Sequence, residues 1–497
     1  MSTETELKLY IDPKEVDKFT QHPLLQSAKH KAKALYSNTY FDSPAHDLLQ
    51  QGVGLRVRRI GEKRLQTLKT AGNALGGLHQ RQEWENEITG DTPDYTQFPK
   101  TALPAWCAKA KNLEKLGPIF TTDFIRTTWD LVLDDSKIEV ALDQGEIKSQ
   151  TASLPLSEVE LELKSGSPVQ LYQMALNLMD AHPLIIENKT KAQRGYGLPL
   201  TYHKAGAVKL KPEMSAEQAF IHIIWHCIGH LQANEDMVLY GKDIEGVHQM
   251  RVALRRLRSC LSIYKPLIPN KTHSNLRQEL KWITSILGVA RDWDVFALSL
   301  KQMQAPNTLK DLRDTVTKLQ TQAYVTVRQA LRSPRYSRML LMLGKYLTQR
   351  DWRKKLEATK LSALDNPARD FASQILESHY QRICKQGENF SQLNAEQLHE
   401  LRISIKKMAY GTRFFAELYS PHTYAKKLSH LQDELGILND GNVANDLLNQ
   451  AGLDKQAPAR YFLNGWYAHQ QMTHLGRLGE AWQTFLKENI FWRNSNV

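Results

Sequence analysis

Glu4, Glu6 and Lys8 stand two residues apart in the stretch ETELKL, with Leu7 and Leu9 interleaved. Successive side chains of a strand alternate faces, so the three ionic groups share one face and the leucines take the other. The same alternation recurs. Arg56 and Arg58 oppose Leu55 and Val57; Glu83, Glu85 and Glu87 oppose Trp84 and Ile88. Glu139 and Asp143 oppose Ile138, Val140 and Leu142; Glu158, Glu160, Glu162 and Lys164 oppose Val159, Leu161 and Leu163. Carboxylates bind hard divalent cations, which also take phosphate oxygens. Guanidinium groups bind phosphate in bidentate fashion. Two arrangements accommodate such faces: a sandwich whose ionic faces are solvated, or strands that curl so that acids and bases meet across a shared space. Like charges side by side destabilise a solvated sheet, which weighs against the first. The second would hold a polyanion and divalent metals together.

The elements that must position these groups lie in residues 1–205. Period-2 stretches dominate there, separated by turn signals such as DDS and KSGSP, with some helix around 169–180. Many strands in one such unit predict an antiparallel barrel or sandwich. Residues 206–214 (GAVKLKPEM) read as a linker, and Lys209 and Lys211 suggest that it is mobile. Ser215 with Gln218 three residues on forms a capping-box signature, and from 215 to 497 the pattern is helical, of bundle type. That part contains a repeat. HQMRVALRRLRS (248–259) resembles HELRISIKKMAY (399–410), and LKWITSILGVARDWDVF (280–296) resembles LSHLQDELGILNDGNVA (428–444). Two similar halves, about 215–350 and 365–497, would pack about a pseudo-two-fold axis, with Asp292, Asp294 and Asp440 orienting their helices. The fold class expected is α+β.

Charge divides along the same line. Residues 1–205 carry 25 basic and 26 acidic residues, leaving 40 basic and 27 acidic beyond them, net +13. Such asymmetry calls for a polyanionic partner of the C-terminal part. His248, Arg251, Arg255 and Arg258 fall on one helix face, and His399, Arg402, Lys406 and Arg413 repeat the stripe. One such stripe would be a solvated surface; two, with this charge, predict an anion-binding groove. Base-reading proteins interleave aromatics with basic residues, and only Tyr410 and Phe414 lie near the second stripe, so nucleic acid is the less favoured ligand. The four cysteines form no C-x-x-C pair, which fits reduced thiols in a cytoplasm. No secretory signal and no run of about 20 apolar residues is visible, so no membrane partner is expected.

The start ETELKL fits the E-x-E-x-K signature of the CYTH, or triphosphate-tunnel, family, named for class IV adenylate cyclases and mammalian thiamine triphosphatase. GLRVRR, QTLKT, RQEWENEI, VALDQGEI, EVELELKSG and KAQRGY resemble its further blocks, in order, over residues 1–200. The helical repeats resemble the CHAD domain over roughly 215–497, and the CYTH-then-CHAD order is similar to that of bacterial inorganic triphosphatases. The resemblance implies an eight-stranded antiparallel barrel forming a hydrophilic tunnel, followed by an all-α domain of two pseudo-symmetric bundles. It implies that Lys8, Arg56, Arg58 and Lys69 bind triphosphate oxygens, with Arg126, Lys191 and Arg194 adding to them. Glu4, Glu6, Glu160 and Glu162 match its metal-holding acids, with Asp143 and Glu139 behind them, and the ion implied is Mg²⁺ or Mn²⁺. Glu158 and Lys164 read as a salt bridge at the tunnel mouth, and His46 and His79 as surface residues.

The reaction implied is hydrolysis of inorganic triphosphate to diphosphate and phosphate. Lys8 joins the arginines in clamping the substrate, and a second metal, or a carboxylate such as Glu4 or Glu6, positions the attacking water. No P-loop is present, and GNALGG (72–77) reads as a rim loop. CHAD resemblance implies binding of inorganic polyphosphate. Class IV-type adenylate cyclase, thiamine or nucleoside triphosphatase, and a non-catalytic polyphosphate binder are the alternatives. Acids at 4, 6, 160 and 162 weigh against the last, since a pure anion binder gains by losing them.

Overall fold

The structure, a computed structural model, describes residues 2–70, 72–149, 152–303, 307–419 and 423–493. It divides into two compact units: residues 1–200 with 332–350, and residues 201–331 with 351–497.

Among the described residues, ten strands build the first unit: β1 (Ser2–Tyr10), β2 (His30–Asp42), β3 (Val53–Ile60), β4 (Lys63–Thr70), β5 (Asn73–Leu75), β6 (Leu78–Glu87), β7 (Gly117–Leu133), β8 (Ser136–Ser149), β9 (Ser153–Ser165) and β10 (Ile185–Ile186). All pairings are antiparallel. Eight strands run in the order β1-β9-β8-β7-β2-β3-β4-β6, and β6 pairs back onto β1, closing a barrel. The short strands β5 and β10 lie alongside β6 and β1.

Closure decides which face is interior, and the polarity is inverted relative to an ordinary small barrel. Leu7, Leu9, Val140, Leu142, Val159 and Leu161 are buried, yet they point away from the ionic groups that alternate with them. Helix Pro168–Ala181 packs on β1 and β9 and buries Leu171, Ala175 and Leu178. A second outer core covers β3, β4 and β6: Leu55, Val57 and Leu68 pack with Ile88, Phe98, Ala102 and Cys107, against which Trp84 is laid. Each fully buried aliphatic side chain of this kind contributes about 1.5–3 kcal/mol. The apolar residues therefore stabilise the wall from outside and leave the lumen to charge.

The second unit consists of two sets of four longer helices. Ala216–Gln232, Glu245–Ile263, Ser274–Gln302 and Lys310–Leu331 are followed by Ala368–Gln386, Ala395–Phe414, Tyr424–Gln450 and Pro458–Leu486. The first three helices of each set pack on their counterparts, as a two-fold relation requires. Ser215 accepts from Gln218 N and the Gln218 side chain answers at Ser215 N, completing the expected capping box.

Two expectations about the boundary differ from the structure. Residues 206–214 are docked: Val208 and Leu210 are buried, and the segment leading into them is held by His203 N donating to Asn234 Oδ1 at 2.9 Å. The charged Lys209 and Lys211 alternate with these apolar residues. Residues 332–350, inside the first expected half-domain, belong instead with the barrel.

Candidate active site: a charged lumen

Four strands and a helix bring one group of ionic side chains together. Arg126 of β7 faces Asp143 of β8 in direct register, and its Nε and Nη2 donate to the two Asp143 oxygens at 2.7 and 2.6 Å. Arg126 also meets Glu160 of β9. Helix Lys191–Tyr196 adds Lys191, which lies 2.7 Å from Asp143 and 3.0 Å from Glu160 and also contacts Glu158; Arg194 pairs with Glu158. The helix begins on a Thr190–Gln193 capping box. It can lie this close to the barrel because Gly195 has no Cβ; one would fall 2.2 Å from the Phe120 ring. Lys8 of β1 completes the group, 2.7 Å from Glu6 and bonded to Glu160.

A second group stands beside it. Lys69 Nζ is 2.7 Å from Glu4 and 3.2 Å from Glu83. Arg81 bonds Glu4 at 2.9 Å and also Glu6. Arg56 lies 3.9 Å from Glu83, and its Nε is buried without a partner. Arg58 differs from the others: its Nε donates to Asn38 Oδ1 at 2.9 Å, its guanidinium lies over the Tyr36 ring, and no carboxylate among the described residues is within ion-pair distance.

The electrostatics follow from this geometry. Burial alone would raise the Glu4 pKa, but Lys69, Arg81 and Lys8 hold it well below the carboxylate range. Glu6 is likewise lowered against its burial, chiefly by Lys8. Lys191, Lys8 and Arg126 outweigh burial at Glu160, and Arg126 and Lys191 do so at Asp143. These acids are ionised. Burial and the neighbouring Arg56 and Arg126 push Arg58 down to about 10. It stays charged, but in an electropositive corner that an anion would relieve.

Nearly all the tunnel residues expected from sequence thus converge: Glu4, Glu6, Lys8, Arg56, Arg58, Lys69, Arg126, Asp143, Glu160, Lys191 and Arg194. Glu162 stands opposite Glu6 in register but is half-buried and paired with Lys164 at 2.8 Å, and Lys164 also reaches Glu139. Two expectations are corrected. Glu158 is 0% exposed and paired with Lys191 and Arg194, so it is a lumen acid and not the mouth partner of Lys164. His79 is not a surface residue: it is 4% exposed, directly opposite Glu6 in register, and brought to about 4 by burial and Lys8. Arg81 was not singled out, although it shares the period-2 face of Glu83 and Glu85.

Asp143, Glu158 and Glu160 offer carboxylate oxygens that all lie within 4.8 Å of one another. Three buried hard-oxygen donors could hold a divalent metal ion.

In the helical unit, His248 and Arg251 are half-buried and Arg255 and Arg258 exposed. Arg251 Nη1 lies against Gly288, where a Cβ would come within 2.7 Å, and Arg251, Arg255 and Arg291 surround His248. On the counterpart helix His399 and Arg413 are exposed, Arg402 and Lys406 half-buried, and Arg413 donates to Ser429. A third basic cluster, Lys265, Arg382 and Lys407, was not expected; burial and the two neighbouring cations lower the Lys407 pKa. Asp294 accepts from Gln320 and Tyr324, a structural role; the side chain of Asp440 lies outside the described residues.

The architecture is a tunnel-type antiparallel barrel joined to a duplicated helical domain. Comparison with protein families agrees: residues 2–196 match the CYTH domain and residues 222–449 the CHAD domain. The chain thus carries a CYTH domain followed by a CHAD domain. Among curated relatives, the inorganic triphosphatase of Haemophilus influenzae is 37% identical over 201 residues, 39% of this chain and 55% of that protein. The chain thus spans about half the length of that relative. Among solved structures, the CHAD domain from the plant Ricinus communis matches with a TM-score of 0.52 and 31% identity, over 58% of this chain and 98% of its own.

Proposed function

We propose that the barrel hydrolyses inorganic triphosphate to diphosphate and orthophosphate with a divalent metal, and that the helical domain binds inorganic polyphosphate. The observation that carries the reading is the adjacency, inside one lumen, of a cationic corner at Arg58, where no carboxylate among the described residues comes within ion-pair distance, and a buried carboxylate trio at Asp143, Glu158 and Glu160. A magnesium– or manganese–triphosphate complex presents both signs of charge and suits both. The relative named inorganic triphosphatase supports the choice of substrate.

Asp143, Glu158 and Glu160 would hold the metal, with Glu4 and Glu6 further along the lumen. The bound ion would supply Lewis-acid neutralisation of phosphate oxygens. Arg56 and Arg58 clamp the phosphates, and Lys8, Lys69 and Arg126 exchange a carboxylate for a phosphate oxygen. That exchange has a consequence. Once Lys69 and Lys8 turn to substrate, Glu4 and Glu6 lose part of the counter-charge that depresses their pKa values, and their basicity rises. An ionised Glu4 or Glu6 then orients a water for in-line attack, which adds its oxygen to the terminal phosphorus, releases diphosphate and yields a proton.

The test is a side-by-side assay of tripolyphosphate, ATP and thiamine triphosphate with Mg²⁺, Mn²⁺ or a chelator. Orthophosphate and diphosphate from tripolyphosphate, lost on chelation, are expected. Preferential turnover of ATP to a cyclic nucleotide, or no turnover, refutes the assignment.

A further inference from the structure

We infer that helix Pro334–Gln349, whose sequence lies inside the segment matched to the CHAD domain, is a positioning element of the tunnel, and that Ser337 acts through it on Lys191 and Arg194. The inference rests on the proposal that the lumen binds triphosphate.

Strand β10 pairs with β1 along one edge through Leu9 and Ile186. Among the described residues its other edge meets no further strand. There the Ile186 amide donates to Ser337 Oγ at 2.9 Å, and Ser337 is buried. A buried amide needs a partner, so the serine hydroxyl takes the place a neighbouring strand would hold. The next residue, Glu187, donates its amide to Lys8 O at 2.9 Å and sets its carboxylate 3.7 Å from Arg194. Glu187 Oε1 then accepts from Lys189 N, Thr190 caps the following helix, and Lys191 and Arg194 enter the lumen. Only residues 187–190 separate the clamped amide from Lys191.

The helix is itself fixed. Gly344 sits against the Tyr172 ring, where a Cβ would come within 2.5–2.6 Å of ring carbons and 2.7 Å of the hydroxyl. Lys345 Nζ donates to Gln173 Oε1 at 2.5 Å, and Arg338 pairs with Asp180 at 2.7 Å. Tyr172, Gln173 and Asp180 all belong to helix Pro168–Ala181, which packs on β1 and β9. The strut therefore refers the Lys191 helix to the same wall that carries Lys8 and Glu160. Small displacements of clamp groups are costly to binding and catalysis.

The test uses the full chain. Ser337→Ala and Ser337→Thr are compared with wild type, and Ser337→Ala is repeated in an Arg194→Ala background. Tripolyphosphate KM and kcat, calorimetric binding of tripolyphosphate without turnover, and melting temperature are read for each. Loss of the hydroxyl should raise KM and Kd roughly 10-fold, the threonine should restore both, and the Arg194→Ala background should reduce the effect to less than about twofold. An unchanged Kd in Ser337→Ala, or an effect of equal size in both backgrounds, overturns the inference. If Ser337→Ala does not fold, Gly344→Ala, which sets a methyl against the Tyr172 ring, is read by the same criteria. A wild type that binds tripolyphosphate without hydrolysing it fails the hydrolase reading alone, and Kd still decides the positioning role. A wild type that does not bind it overturns both.

Discussion

Lys69 Nζ lies 2.7 Å from both carboxylate oxygens of Glu4, although β4 and β1 are not neighbours in the sheet: β6 runs between them. The bond can form only because the wall is curved and both side chains point into it. Arg81, on the intervening strand, bonds the same carboxylate. Glu4 is thus held by two cations and shared with a third, Lys8, through its field.

Replacing Glu4 or Glu6 by Gln keeps the shape and removes the charge. Each change should lower metal-dependent phosphate release by about 10²-fold or more, with far-UV circular dichroism unchanged. Wild-type turnover in both variants would contradict their role.

Arg58 and Arg126 should respond oppositely in stability. Arg126→Met removes the bidentate partner of Asp143 and one of the cations on Glu160, leaving Lys191 and Lys8 to hold them, and should cost up to about 3–5 kcal/mol. Arg58→Met removes a cation for which burial and the repulsion of Arg56 and Arg126 outweigh the attraction of Glu85, so the melting temperature should stay level or rise. Its triphosphate KM should still rise roughly 10–100-fold, since a charge-assisted phosphate contact contributes about 1.5–3 kcal/mol. Thermal denaturation and kinetics on the same preparations check both signs.

His79 predicts a pH dependence. Its pKa is about 4 in the folded chain against 6.5 for an ordinary histidine. The unfolded chain binds the proton first as pH falls, so stability is full above about 6.5 and is lost between there and 4. His79→Gln should flatten the pH profile of barrel unfolding in that window by about 3 kcal/mol in total. Parallel profiles for variant and wild type would refute the assignment. The lumen acids add a second loss below about 4.5, because their folded pKa values are depressed.

Joint charge reversal at Arg251, Arg255, Arg402 and Lys406 should abolish polyphosphate binding by the full chain. Competition with DNA, run at matched ionic strength because affinity for either falls with salt, should favour polyphosphate. Unchanged binding in the reversed variant would remove these stripes from the site.

Much of this site was legible in sequence because the period-2 pattern assigns faces, and a closed barrel has only one interior. Partners were less legible. Glu158 and Lys164 share a strand face, which suggested a pair, but the cations that meet Glu158 come from helix Lys191–Tyr196, brought there by the fold. Arg81 lies on a readable face, yet its importance comes from register with Glu4. His79 alternates in step with Arg81, but nothing local indicates that it is buried. The docking of residues 332–350 on the barrel is a tertiary choice that their amphipathic pattern leaves open, since that pattern specifies a buried face and not its partner.

The most direct test of the lumen as the substrate site is anomalous diffraction from crystals grown with Mn²⁺ and tripolyphosphate. The account predicts a manganese peak inside the barrel at Asp143, Glu158 and Glu160, with phosphate oxygens on Arg56 and Arg58. Manganese and triphosphate found only outside the barrel, with the pairs among Lys8, Glu160, Arg126 and Asp143 intact, would contradict it.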